Sequence, residues 1–412
     1  MARVLFSDAL LFDGLTAELK EGMHVLVEES TIKEVSDRPI TGDHDRRIDL
    51  AGRTLMPGLI DAHYHCIAAD PDITKVERMP GSLLSQHARA LLEATLMRGF
   101  TTVRDAGGAD YGHALAIKSG LIKGPRLYFS GRALSQTGGH ADFRGADQDS
   151  IDCCFCAQRA GVFGVIADGV PEVQRAAREE LRRGATQIKI MASGGVASPS
   201  DPVWNLQYSE DEIRAIVWEA QSWRTYVMAH AYTPESISRC VTFGVRSIEH
   251  ANLIDVPTAR LCAEKDAFVV PTLATYDALQ RHGRDLGMPE VSMAKLAEVQ
   301  RAGRRSLEIL TEAGVKIGFG TDLLGAMQEH QSNEFAIRSE VLPPADILIS
   351  ATSGNAELLN AGGRIGSVVA AAQADLIVVD GNPLEDLELL QNQGAHLPII
   401  MKDGAFMKDS LA

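Results

Sequence analysis

The chain has 412 residues, 45% of them hydrophobic and 23% charged, and a formal net charge of −15. That composition excludes a mainly disordered chain, and the acidic balance argues against nucleic-acid or anionic-membrane partners, which need a basic face. No run approaches the roughly 18 to 20 apolar residues that span a bilayer.

The opening MARVLFSDALLFDG places Asp8 and Asp13 where an export signal needs an unbroken apolar run, so a cytoplasmic protein is expected. Residues 1–54 then read as short β segments with turns, as in HVLVEESTIKEVSD. From about residue 55 to residue 345, apolar β-rich runs alternate with helix-like stretches. The expected strands are TLMPGLIDAH, FTTVRDAG, RLYFSG, QIKIMASG, YVMAHAY, SIEHAN, AFVVPTL and KIGFGTD, eight in all. Intervals such as EDEIRAIVWEAQSW and VPTARLCAEKDA are helix-like. Continuous apolar strands separated by helices describe a parallel sheet covered by helices. Eight such units predict an α/β fold of the (β/α)8 TIM-barrel type. An open, doubly wound sheet is the alternative, but no glycine-rich phosphate loop follows the first strand to support it.

The interval over residues 132–186 is too long for one connection and holds SQTGGHADF, a cysteine cluster and a helix-like stretch, VPEVQRAAREELRRG. Long loops at a barrel mouth usually form lids or substrate walls. The six cysteines (Cys66, Cys153, Cys154, Cys156, Cys240 and Cys262) are too sparse and irregular for a secreted disulfide framework. The CCFC cluster lacks the second ligand pair of a thiolate metal site and reads as packed or loop cysteines of open role. Past residue 345, QADLIVVDGNPLED to PIIMKDGAFM reads like the N-terminal β segments. The chain is therefore expected to divide into a small β-sandwich built from residues 1–54 and 346–412, beside a barrel over 55–345.

Chemistry collects at the strand ends. In a strand, His63 and His65 point the same way, two residues apart. Lys189 lies in the fourth expected strand, His230 closes the fifth, His250 the sixth and Asp322 the eighth. The C-terminal strand ends of a barrel form one rim, so these residues are expected to converge there. Any one of these histidines could be an ordinary polar residue; their joint placement points to a metal centre.

On PGLIDAHYH, IKIMASGG, AHAY, IEHAN, GTD and DLIVVDGNPL the chain resembles the amidohydrolase superfamily in its two-metal, carboxylated-lysine form. DAGGAD, GRALSQTGGHADF, IMASGGVASPSDP, MAHAYTP and GFGTDLLG look like the branch of prolidase-like and other Xaa-amino-acid dipeptidases. Ochratoxin-hydrolysing amidases and imidazolonepropionase-like proteins are neighbours of that branch. The resemblance implies two divalent ions held by His63, His65, His230, His250, Asp322 and a Lys189 carboxylated by CO2. Carboxylation makes chemical sense, because an ammonium beside two cations would repel them whereas a carbamate can bridge them. Zinc fits the histidine and carboxylate ligands, and manganese or cobalt would also suit them.

The expected reaction is hydrolysis of an amide bond by a metal-bridging hydroxide, with Asp322 as general base and then acid. His140 is expected at the carbonyl oxygen, as oxyanion donor, and Tyr232 at the substrate carboxylate. No Gly-x-Ser-x-Gly elbow suggests a covalent route. Expected substrates are dipeptides or N-acyl amino acids. An Xaa-Pro or related dipeptidase is the leading form, and an amidase for N-acyl-phenylalanine compounds such as ochratoxin is the alternative. A non-catalytic scaffold is opposed by the complete ligand set. A homo-oligomer is expected, and Arg104 reads as an anchor of the loop after the second strand.

Overall fold

The computed structural model describes residues 3–144, 162–196, 198, 201–286, 288 and 290–411; the Cys153, Cys154 and Cys156 cluster lies outside them. The first three barrel strands, Leu59–Tyr64, Phe100–Asp105 and Arg126–Phe129, run parallel in one sheet. The fourth to eighth, Ile188–Met191, Val227–Ala231, Ser247–His250, Phe268–Val270 and Lys316–Ile317, run parallel in a second. Backbone hydrogen bonds join the two sheets. Thr186 N–H donates to the Phe129 carbonyl and Ala62 N–H to the Phe319 carbonyl, both at 2.8 Å, which links the first strand to the eighth. At that closing seam the Asn355 side-chain amide donates to the Ile60 and Phe319 carbonyls at 2.7 and 2.8 Å.

Parallel strands covered on both faces should be apolar throughout, and every residue of Leu59–Tyr64 and Val227–Ala231 is buried. The covering helices bury one stripe each. In Val170–Arg182 the buried residues include Val173, Ala176, Ala177 and Leu181, and Pro171 stands in its first turn, where no backbone N–H is needed.

Two features depart from the expected strand pattern. The run over 54–63 is cut at Gly58, and Thr54–Pro57 leaves the barrel to pair with Leu376–Val379 and Arg3–Phe12. A Cβ at Gly58 would stand 2.1 Å from Thr101 Oγ1, so the backbone passes the second barrel strand at a distance that only glycine allows. In the long interval, Ala133–Ser135 and Gly164–Ile166 form two further parallel strands that extend the second sheet beside Ile188–Met191.

Both ends of the chain build a mixed sheet. Its order is Ala405–Asp409, Ile399–Lys402, Leu376–Val379, Thr54–Pro57, Arg3–Phe12, Leu19–Glu28 and Thr31–Ser36, with Arg46–Asp49 also pairing with Arg3–Phe12. Alternation sets its core: Met23, Val25 and Val27 turn inward from Leu19–Glu28 and pack with Phe6, Leu55 and Val378. Arg126 ties the barrel to this sheet, with Nη2 at 2.8 Å from Asp375 and 2.5 Å from Asp403. Among the described residues no helix is long and apolar enough to cross a membrane.

Candidate metal centre

The strand order brings the expected residues together. His63, His250 and Asp322 each offer a ligand atom within 4.8 Å of the others. His65 Nε2 lies 3.1 Å and His63 Nε2 3.4 Å from Asp322 Oδ1. The His230 ring centre is 4.7 Å from that of His250, and the His63 ring centre is 4.9 Å from His250 on the other side. Lys189 is buried and interacts electrostatically with Asp322 and Glu249.

The far nitrogens of these rings are already engaged. His63 Nδ1–H donates to Glu249 Oε2 at 2.7 Å, and His65 Nδ1–H donates to the Gly107 carbonyl at 3.1 Å. Both contacts fix the tautomer and turn the Nε2 lone pair toward Asp322. His250 Nδ1 is 2.8 Å from Thr272 Oγ1. His230 donates through Nε2 to the Gly194 carbonyl at 3.2 Å, which leaves Nδ1 as its lone pair.

Imidazoles must be neutral and carboxylates ionised to ligate a cation, and the groups here divide. Burial acts to lower His65, but the Asp322 and Asp105 carboxylates outweigh it and raise it above the ordinary histidine range. Burial pushes His230 and His250 well below the ordinary histidine range. Burial acts to raise Asp322, but His63, His65 and His250 outweigh it and hold the carboxyl well below its usual range. Burial also lowers the Lys189 ammonium to about 8, against the pull of Glu249 and Asp322. Among the described residues Lys189 has no hydrogen-bond partner, an arrangement that favours the neutral amine. The backbone is strained here: His250, Ala251 and Asp322 have φ of 75°, 52° and 53°, at a cost of about 1–3 kcal/mol each.

Arg104 does not anchor the loop after its strand. Its guanidinium is fully buried and donates to the Ala62 carbonyl at 2.6 Å, to Ser247 Oγ at 3.2 Å and to both Glu249 oxygens at 2.9 and 3.1 Å. Burial alone would raise Glu249, but Arg104 and His63 bring its carboxyl down to about 2. Glu249 was not anticipated. Its signal was a charge inside an otherwise apolar strand, which must find a partner when buried.

His140, in the loop that follows Ala133–Ser135, stacks on His230 with ring centres 4.3 Å apart. Its Nδ1–H donates to Asp201 Oδ2 at 3.1 Å and its backbone N–H to Gln207 Oε1 at 2.9 Å. Gln207 Nε2 closes the triangle on Asp201 Oδ2 at 3.1 Å. Asp201 and Gln207, too, carried no recognisable spacing in the sequence. Tyr232 stacks on His250 with centres 5.2 Å apart, and its hydroxyl is 2.8 Å from that of Tyr276. The expected single tyrosine is thus a pair, the second member coming from the helix Leu273–His282.

Known proteins carry the same architecture. An amidohydrolase of solved structure is 53% identical, covers 100% of both chains and superposes with a TM-score of 0.97. A prolidase solved with N-methylphosphonate-L-proline is 50% identical, covers 99% of this chain and 100% of its own, and gives a TM-score of 0.96. Ochratoxinase of Aspergillus niger is 34% identical over 367 residues, which is 86% of this chain and 75% of that protein. The model of the amidohydrolase family matches residues 54–404, the span that carries every residue of the His/Asp cluster just described. Fold, cluster and sequence agree that this chain belongs to the amidohydrolase family, the metal-dependent hydrolases of C–N bonds.

Proposed function

We propose that the chain is a dipeptidase that removes a C-terminal residue, proline foremost, from Xaa-Pro and related dipeptides. The observation that carries this reading is the 50% identity, over 99% of the chain, to a prolidase solved with a proline phosphonate. Two divalent ions, zinc by the nature of the donors, would be held by His63, His65, His230, His250, Asp322 and Lys189. When bound, they supply Lewis-acid polarisation of the scissile carbonyl and an acidified water. Lys189 joins them as a carbamate. Its buried amine, unpartnered among the described residues, is open to CO2, and carboxylation replaces a repelling charge with two anionic oxygens.

The remaining steps fall to the chain's own groups. An Asp322 carboxylate oxygen takes the proton of the attacking water and returns it to the leaving nitrogen. Acting as an imidazolium, with Nδ1–H held by the Asp201 carboxylate, His140 would offer Nε2–H to the carbonyl oxygen as it gains charge. The Tyr232 hydroxyl, backed by Tyr276, donates to the substrate carboxylate.

A second reading, an amidase for N-acyl-phenylalanine compounds, rests on the 34% identity to ochratoxinase. Steady-state assays on Xaa-Pro, Xaa-Arg, Xaa-Lys, Xaa-Phe and N-acyl-Phe substrates separate the two. The metal-loaded protein should cleave Xaa-Pro with the highest kcat/KM and lose that activity on chelation. Cleavage of ochratoxin with no dipeptide turned over would overturn the first reading in favour of the second.

A further inference from the structure

The loop after the fourth barrel strand folds back on itself. Gly194 N–H donates to the Asn205 carbonyl at 2.9 Å, and Ser193 pairs with Leu206 in an isolated bridge. Two glycines make the fold-back possible: a Cβ at Gly194 would stand 2.0 Å from the Pro202 carbonyl oxygen, and one at Gly195 2.3 Å from His140 Cε1. The returning arm carries Asp201 and Gln207, the two residues that hold His140.

One group from a distant element meets this loop. Lys295 belongs to the helix Glu290–Glu312, in the connection between the seventh and eighth strands. Its Nζ donates to the carbonyls of Gly195, Ser198 and Asp201 at 3.1, 2.9 and 2.6 Å. An ammonium has three N–H donors, and here all three end on main-chain oxygens of one loop. A ring of carbonyls around a single charge is how proteins also hold a bare monovalent cation.

We propose that Lys295 is a positioning residue whose ammonium serves as a tethered cation. It draws three carbonyls of the fourth-strand loop together, and so sets Asp201 against His140. The kinetic part rests on the reading of His140 as a group of the hydrolytic site; the structural part does not.

The test uses the full-length, metal-loaded protein. Lys295→Met keeps the apolar stem and removes the donors, whereas Lys295→Ala leaves a space the size of propylammonium. In Lys295→Met, amide hydrogen exchange over residues 192–196 and 201–208 should quicken while the barrel strands keep wild-type protection. On the best dipeptide, kcat should fall by roughly 10²-fold, the size of a misplaced group, and KM should hold. Added propylammonium, but not propanol, should restore both loop protection and kcat to Lys295→Ala and do nothing for Lys295→Met. Wild-type exchange in Lys295→Met would overturn the proposal. So would a loosened Lys295→Ala that propylammonium fails to tighten. If the wild type cleaves no dipeptide, the functional reading fails, and the exchange measurements still decide whether Lys295 holds the loop.

Discussion

Glu249 and Arg104 are both fully buried, and neither can be changed without stranding the other's charge inside the barrel. Glu249→Gln keeps the shape but leaves the guanidinium uncompensated, so unfolding free energy should drop by about 3–5 kcal/mol in urea titrations. The same change loosens the orientation of His63, and chelator competition should show metal affinity down by about 10–100-fold. Replacing both, as Glu249→Leu with Arg104→Met, should recover much of the stability but not the affinity. Recovery of both would reduce the pair to a structural role. Lys189→Ala should collapse turnover by orders of magnitude, and short carboxylic acids should return part of it by supplying the missing oxygens. Near wild-type turnover in that variant would make the lysine structural. At this scale the sequence was readable wherever chemistry alone singles out a residue, as with His63 and His65 at a strand end. It was unreadable where a role depends on side-chain direction: Arg104 and Glu249 were visible as charges in apolar strands, but not as each other's partner.

Among elements, Gly58 decides where the mixed sheet ends and the barrel begins. Its missing Cβ lets the chain pass Thr101, and Gly58→Ala would place a methyl group 2.1 Å from Thr101 Oγ1. Overpacking of this kind costs about 1–3 kcal/mol, measurable as a lower denaturation midpoint with an unchanged m-value. An unshifted midpoint would show that Thr101 simply turns aside. The apolar run over 54–63 gave no hint of the division, because burial on both sides of Gly58 produces the same apolar pattern in either sheet. Ala133–Ser135 and Gly164–Ile166 escaped notice for another reason: three residues are too few for a period to show. The eight barrel runs were legible, even where the strand itself is as short as Phe268–Val270, because most of them alternate with helix-like intervals, and only a few architectures bury that alternation.

At the scale of the whole molecule, Arg126 couples the barrel to the sheet of the two chain ends, and the coupling is pH-dependent. Burial raises Asp375 above its ordinary range, with Arg126 opposing. A carboxyl raised in the folded state favours stability below its unfolded pKa and costs stability as pH climbs through the folded value. Asp403 goes the other way: burial acts to raise it, but Arg126 and Lys402 lower it, so its contribution is present above the unfolded pKa and fades as pH falls. Removing Arg126 penalises both groups when ionised. The deficit of Arg126→Met in urea should therefore be small near about pH 2, where both carboxyls are protonated, and grow toward pH 8. A deficit that ignores pH would place the value of Arg126 in packing alone. The barrel's closure has a consequence of another kind. Asp322 N–H donates to the His63 carbonyl at 2.8 Å, so two of the residues proposed to hold the ions stand on opposite lips of the seam. An ion held between them would act as a rivet, so that letting it go and unzipping the wall would become a single event. Metal loss to a chelator should then level off as chelator is raised, at the rate of seam opening. Asn355→Ala, which removes the amide stitching Ile60 to Phe319, should lift that ceiling. Loss that stays proportional to chelator would mean that the ion departs through an intact wall. Otherwise, the residence time of the metal would be governed by Asn355, whose side chain bonds the backbone of Ile60 and Phe319 and none of the proposed ligands.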